Sequence, residues 1–211
     1  MKKFELTNEF ITNMFGTKLF RIRALVEFGD VEAGELGGYV EKESNLGHDD
    51  NAWVYDNAWV YGNARVYGDA QVSGDARVYD NAWVYGDAQV SGNAWVYGNA
   101  RVYGNAWVYG NAWVYGNAWV YGNALVCSDE DYAYAHGFGS VNRTTTFFRL
   151  KDGGVGVRCG CFYGTLAQFR DKIRETHGET KKAQEYLMLA DLMELRFEED
   201  ENEVGNRKYV E

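Results

Sequence analysis

From residue 51 to 128 the chain alternates small apolar and larger positions on a six-residue period. Valine marks the period at Val54, Val60, Val66, Val72, Val78, Val84, Val90, Val96, Val102, Val108, Val114, Val120 and Val126, thirteen hexads without a slip. An alanine stands two residues before each valine, from Ala52 to Ala124. Side chains alternate across a strand, so each Ala–Val pair points to one side. Between them sits Trp, Arg, Gln or Leu, and after the valine sits Tyr, Ser or Cys; these point the other way. Each hexad closes with Gly, Asp or Ser and then Asn or Asp, residues that tolerate positive φ. The pattern predicts a short strand and a corner per hexad. Small side chains line the inside because a narrow tube has no room for larger ones, and the aromatics lie outside.

The flanks break the period. Val40 and Leu46 stand six apart, with Gly38 and Ser44 two before them, and read as two degenerate hexads. Eight residues separate Leu46 from Val54, which predicts a two-residue insertion near His48–Asp50. LFRIRALVEF (19–28) reads as a strand after the turn FGTK. On the other side, TTTFFRL (144–150), the turn KDGG and VGVRCGCFYG (155–164) read as a β-hairpin. Thr165 with Gln168 has the capping-box spacing and opens a helix with Leu166, Phe169 and Ile173 on one face. A second helix is expected from Lys181, with Ala183, Tyr186, Leu187, Ala190, Met193 and Phe197 on one stripe. The acidic end EEDENEVGNRKYVE (198–211) reads as a mobile tail. The chain divides into an N-terminal β cap (1–50), the hexad tract (51–128) and a C-terminal α+β cap (129–211).

The frame VYGNAW, an aliphatic residue and then a small one four positions on, resembles the hexapeptide signature of left-handed parallel β-helices. That resemblance implies a mainly β fold with three hexads per coil. The variant word DAQVSG occurs at 69–74 and again at 87–92, 18 residues on, the same period. Thirteen hexads then make a little over four coils, a prism of about 20 Å at ~4.8 Å per rung. The leader RIRALVEFGDVEAGELGGYVEKESNL and the cap TTFFRLKDGGVGVRCGCFYGTLAQF resemble a family of hexapeptide-repeat proteins of bacteriophages and prophages. The resemblance implies a phage setting in the host cytoplasm and carries no catalytic residues.

Composition narrows the partners. The chain has no proline, which suits an unbroken sheet. Net charge is −10, yet residues 51–128 hold only 5 acids and 3 bases. The acidic total disfavours nucleic acid as a partner. The near-neutral tract lacks the dense charge of a nucleic-acid mimic. Three cysteines, Cys127, Cys159 and Cys161, make no disulfide framework. No stretch has the apolar run of a signal peptide or of a membrane span, so a cytoplasmic protein without membrane contact is expected.

Candidate chemistry is sparse. Acyltransferases of the left-handed β-helix type use a histidine between coils as general base. Here His48, His136 and His177 all lie outside the regular hexads, and His136 in YAYAHGFGS is the nearest to them. Cys159 and Cys161 read as i and i+2 of one strand, with both thiols on one side, where a histidine could complete a zinc site. C-x-C alone is a weak signal, so no catalytic residue, metal or cofactor is assigned. GGVGVRCG lacks the Lys-Ser/Thr ending of a phosphate loop.

What remains is the outer surface, divided into faces by steps of 18. The first carries Trp53, Gln71, Gln89, Trp107 and Leu125. The second carries Trp59, Arg77, Trp95 and Trp113 beside Tyr61, Tyr79, Tyr97 and Tyr115. The third alternates Arg65, Trp83, Arg101 and Trp119 beside Tyr67, Tyr85, Tyr103 and Tyr121, suited to cation–π stacking. The second reads as a flat, uncharged aromatic strip. Its residues Trp59, Tyr61, Trp95, Tyr97, Trp113 and Tyr115 are the candidate binding site, for a second copy of the chain in a dimer or trimer or for a host protein. Such ladders can also serve only to stabilise themselves. The alternatives are a protein that sequesters a nucleotide or carbohydrate, and an acyltransferase.

Overall fold

A computed structural model describes residues 2–139 and 142–198. All thirteen hexads form strands, from Trp53–Val54 to Leu125–Val126. They pair in parallel with the strand 18 residues on: Val54 with Val72, Val60 with Val78 and Val66 with Val84. Three parallel stacks result, a β-solenoid of about five turns. Every hexad Ala and Val is buried, in one continuous core. Full burial of a valine stabilises by about 1.5–3 kcal/mol, so the inner face is the main source of stability.

The corners explain the Gly-Asn words. Corner glycines from Gly62 to Gly122 take φ between 65° and 71°. A Cβ on Gly68 would meet the backbone nitrogen of Gly86 at 2.9 Å. Asp56 and Asp80 occupy the same corner position at φ 52° and 58°. Their carboxylates accept from Gly74 N (3.0 Å) and Gly98 N (3.3 Å) in the next rung, which offsets the strain.

The N-terminal region holds β1 (Phe4–Thr12), β2 (Lys18–Ala24) and β3 (Leu36–Val40). β3 pairs in parallel with the solenoid through Tyr39–Trp59 and Val40–Val60, an offset of 20, and Leu46 bridges Val66 at the same offset. The two extra residues expected near His48–Asp50 are this change of offset. The strand expected over 19–28 stops at Ala24, where the chain turns into a Phe28–Val31 bridge. β1 pairs antiparallel with β2. Phe4 and Phe28 cover Trp53, at 6.2 and 5.3 Å between ring centroids, so Trp53 is fully buried and is not on the outer surface.

The C-terminal region is larger than the expected hairpin. β17 (Tyr132–Phe138), β18 (Arg143–Arg149), β19 (Val155–Cys159) and β20 (Phe162–Thr165) form one antiparallel sheet; β4 to β16 are the hexad strands. Helices α1 (Leu166–His177) and α2 (Lys181–Phe197) pack on it around Phe147, Phe169, Tyr186 and Met193. Thr165 and Gln168 form the capping box as spaced. Residues 199–211 of the acidic end lie outside the described residues. No helix among the described residues is long and apolar enough to cross a membrane.

The two ends are closed by opposite chemistry. Each rung donates its N–H groups to carbonyls of the following rung, as in Trp53 N to Ala70 O (3.1 Å). The first rung is therefore left with carbonyls and the last with N–H groups. Lys3 Nζ donates to Asp50 O and Ala52 O (2.6 and 2.8 Å), and Asn45 Nδ2 to Ala64 O (2.8 Å). At the far end Asp129 accepts from Trp113 N (2.7 Å), Thr146 from Trp119 N (2.9 Å) and Asp131 from Cys127 N (3.0 Å). Orphan backbone groups are costly when dry, and the end residues match the polarity they meet.

Candidate functional site

The second face follows from its stacked rungs. Tyr61, Tyr79, Tyr97 and Tyr115 stack in sequence at 5.0, 5.0 and 5.4 Å between ring centroids. Tyr132 and Tyr134 of β17 end this ladder edge-on. The tryptophan column is not continuous. The Arg77 guanidinium sits 4.3 Å from Trp59 and 5.0 Å from Trp95, so the strip carries a cation and is not uncharged. Only Trp95 and Trp113 stack directly, at 5.0 Å with planes 9° apart. Trp113, 43% exposed, is the open end of the tryptophan pair, whereas Tyr115 has Tyr132 and Tyr134 edge-on against it. The structure thus brings Tyr61, Tyr97 and Tyr115 into one ladder and Trp95 and Trp113 into one pair. Trp59 instead borders a groove of about 220 Å³ with Ile11, Tyr39, Asn57, Asp75 and Arg77.

The third face is a sandwich column. Arg65 and Arg101 flank Trp83 at 5.8 and 4.8 Å. Arg101 and Arg158 flank Trp119 at 4.9 and 5.4 Å. Arg158 comes from β19, so the C-terminal sheet supplies the next arginine of the alternation. It also donates from Nε to Tyr103 O–H at 3.0 Å. Its tyrosine row stacks from Tyr67 to Tyr121 at 4.9, 4.7 and 4.2 Å. Burial in these rows, with neighbouring tyrosines adding to it, raises the phenols: Tyr85 is pushed up to about 12 and Tyr79 is raised further. On the first face Lys151 lies 3.8 Å over the exposed Trp107 ring.

The remaining candidates part company. Cys159 ends β19, but Gly160 and Cys161 form the turn into β20, with Gly160 at φ 58°. The thiols therefore do not share one face of one strand. Cys159 Sγ accepts from Thr145 Oγ1 at 3.2 Å, while Cys161 is exposed. No group of three His, Cys, Asp or Glu able to hold a metal occurs among the described residues. His48 stacks on Phe4 at 4.4 Å and His177 lies 6.0 Å from Tyr186. His136 Nδ1 lies 2.9 Å from Thr144 Oγ1. Arg158 reaches the third face from β19, far along the chain, which the hexad period cannot reveal.

The family model of the YdcK beta solenoid repeat matches residues 58–70, 70–86, 88–104, 95–110, 100–116 and 106–122. The hexad tract is a β-solenoid repeat. The matches stop short of both ends and so leave the N-terminal strands and the C-terminal sheet and helices uncovered. No curated protein matches the chain.

Proposed function

We propose that the protein is a non-enzymatic binding and assembly protein whose second face docks a second copy of the chain. The observation that carries this reading is the directly stacked Trp95–Trp113 pair, open at Trp113. Exposed aromatic rings on a rigid scaffold lose little conformational entropy on docking and anchor interfaces well. A patch on a rod of constant rung spacing also suits a symmetric contact, since the same patch on two copies can meet about a two-fold axis. The tract is, on this reading, a left-handed hexapeptide-repeat helix with three hexads per coil; the pairing offset of 18 supports the coil length. The resemblance to phage and prophage proteins supports a host-cytoplasmic setting, where an assembled prism would engage a host protein, interference with host defence being one form.

Native mass spectrometry of the purified chain tests the reading. A dimer or trimer mass is expected. A monomer mass over a wide concentration range contradicts assembly, and a retained small molecule would favour a sequestering protein.

A further inference from the structure

A cleft of about 380 Å³ opens where the third face meets the C-terminal sheet, lined by Asn117, Trp119, His136, Arg143, Thr144 and Gly160. In a chain of net charge −10 the described residues that line it include no carboxylate. Its side chains offer hydrogen-bond donors. Arg143 has no ion-pair partner among the described residues. Its guanidinium lies over Gly160, where any Cβ would occupy the place of Nη1, so glycine there makes room for the fork.

Asn117 adds a donor by its place in the solenoid. Along one corner Asn63, Asn81 and Asn99 each donate from Nδ2 to the Oδ1 of the next asparagine, at 3.2, 3.3 and 3.3 Å. Asn117 accepts the last of these bonds and has no following rung to donate to. Its amide N–H groups are left at the cleft. Thr144 lies against His136 Nδ1, which leaves the other ring nitrogen, Nε2, for a ligand. Arg101 and Arg158, on either side of Trp119, add positive charge close by.

We infer that this cleft binds the phosphate group of a small phosphomonoester. A guanidinium fork, an amide and an imidazole lining one cleft suit an oxyanion with several terminal oxygens, the Thr144 hydroxyl serving to hold His136 by Nδ1 with Nε2 turned to the ligand. The volume falls in the range of small-molecule sites, about 300–1,000 Å³, and exceeds what a bare phosphate fills. Both faces of the Trp119 ring are occupied by guanidinium groups, so recognition rests on the phosphate and not on stacking of a base. The cleft lies on the third face and the C-terminal sheet, apart from the Trp95–Trp113 pair, so it stands independently of self-association.

Isothermal titration calorimetry of the full chain with AMP, inorganic phosphate and adenosine tests the inference. AMP binds and adenosine does not; inorganic phosphate binds with equal or lower affinity, the difference measuring what the ester adds. Arg143→Gln lowers AMP affinity by about tenfold or more, as loss of a charge-assisted fork should. His136→Gln lowers it less. Lys181→Gln, at the exposed start of α2, leaves it unchanged. Arg143 and His136 are exposed, so their variants keep the wild-type melting temperature. Three results overturn the site: no AMP binding, adenosine binding as tightly as AMP, or an Arg143→Gln effect no larger than that of Lys181→Gln.

Discussion

The second and third faces are written in the same hexad word and carry the same kind of tyrosine row, yet their outer columns end differently. On the third face every tryptophan lies between two arginines, and the C-terminal sheet supplies the last of them. On the second face one arginine serves Trp59 and Trp95, and the column then runs out as a bare indole pair. Alternation lets a column saturate its own π faces. Repetition of Trp leaves the last ring open. One substitution in the word, Arg for Trp, thus separates a column with both faces of each indole covered from one that ends on an open ring.

The largest expected effect removes the ground both faces share. Val96→Asp places a charge inside the tube and should cost several kcal/mol or abolish folding. Tyr97→Asp, one residue on, faces outward and should cost far less. Circular dichroism melts of the pair check the inside–outside assignment, and equal damage would refute it.

Next comes the deletion of residues 93–110, which removes one strand from each stack and should leave a folded, shorter solenoid. Removing six residues instead shifts the C-terminal sheet to the wrong face and should lower the melting temperature much more. Equal melting temperatures would argue against a coil of three hexads.

A smaller effect separates the faces themselves. Arg101 touches both Trp83 and Trp119, so Arg101→Ala should destabilise by about 1–2 kcal/mol. It should leave the oligomeric state unchanged, since its column is saturated. Loss of assembly in Arg101→Ala would move the contact to the third face.

The smallest effect near neutral pH is shared. Tyrosines of both rows have raised pKa values in the folded chain, Tyr85 to about 12. Above about pH 10 the unfolded chain loses phenolic protons that the folded chain keeps. The folded state then binds more protons, so stability is intact below that pH and falls as pH rises towards and through 12. Denaturant midpoints at pH 9 and ~11 check the sign; a midpoint that rises would contradict the buried rows.

Much of this was legible in the sequence. The Ala–Val period placed the core, the repeated DAQVSG word gave the pairing offset, and the gap from Leu46 to Val54 located the change of offset. The α1 capping box was read from Thr165 and Gln168. β1 was not legible because polar Thr7, Asn8 and Glu9 interrupt its apolar positions, at the place where its pairing with β2 shifts register. The cysteine pair was misread because Gly160 turns the chain between them, which spacing alone does not reveal. Arg77 stands between Trp59 and Trp95 at steps of 18, so the charge within the strip was legible in the sequence; the geometry adds that its guanidinium sits against both rings. The burial of Trp53 and the reach of Arg158 depend on end structures that no local period encodes.

The central claim is that the open indole pair of the second face carries assembly. Sedimentation velocity of wild type and of Trp95→Ala with Trp113→Ala, at several concentrations, tests it most directly. The account predicts that the double variant keeps the wild-type far-ultraviolet spectrum and sediments as a smaller species, with the anchors worth about 2 kcal/mol or more each. A folded double variant that sediments like wild type at every concentration would contradict it.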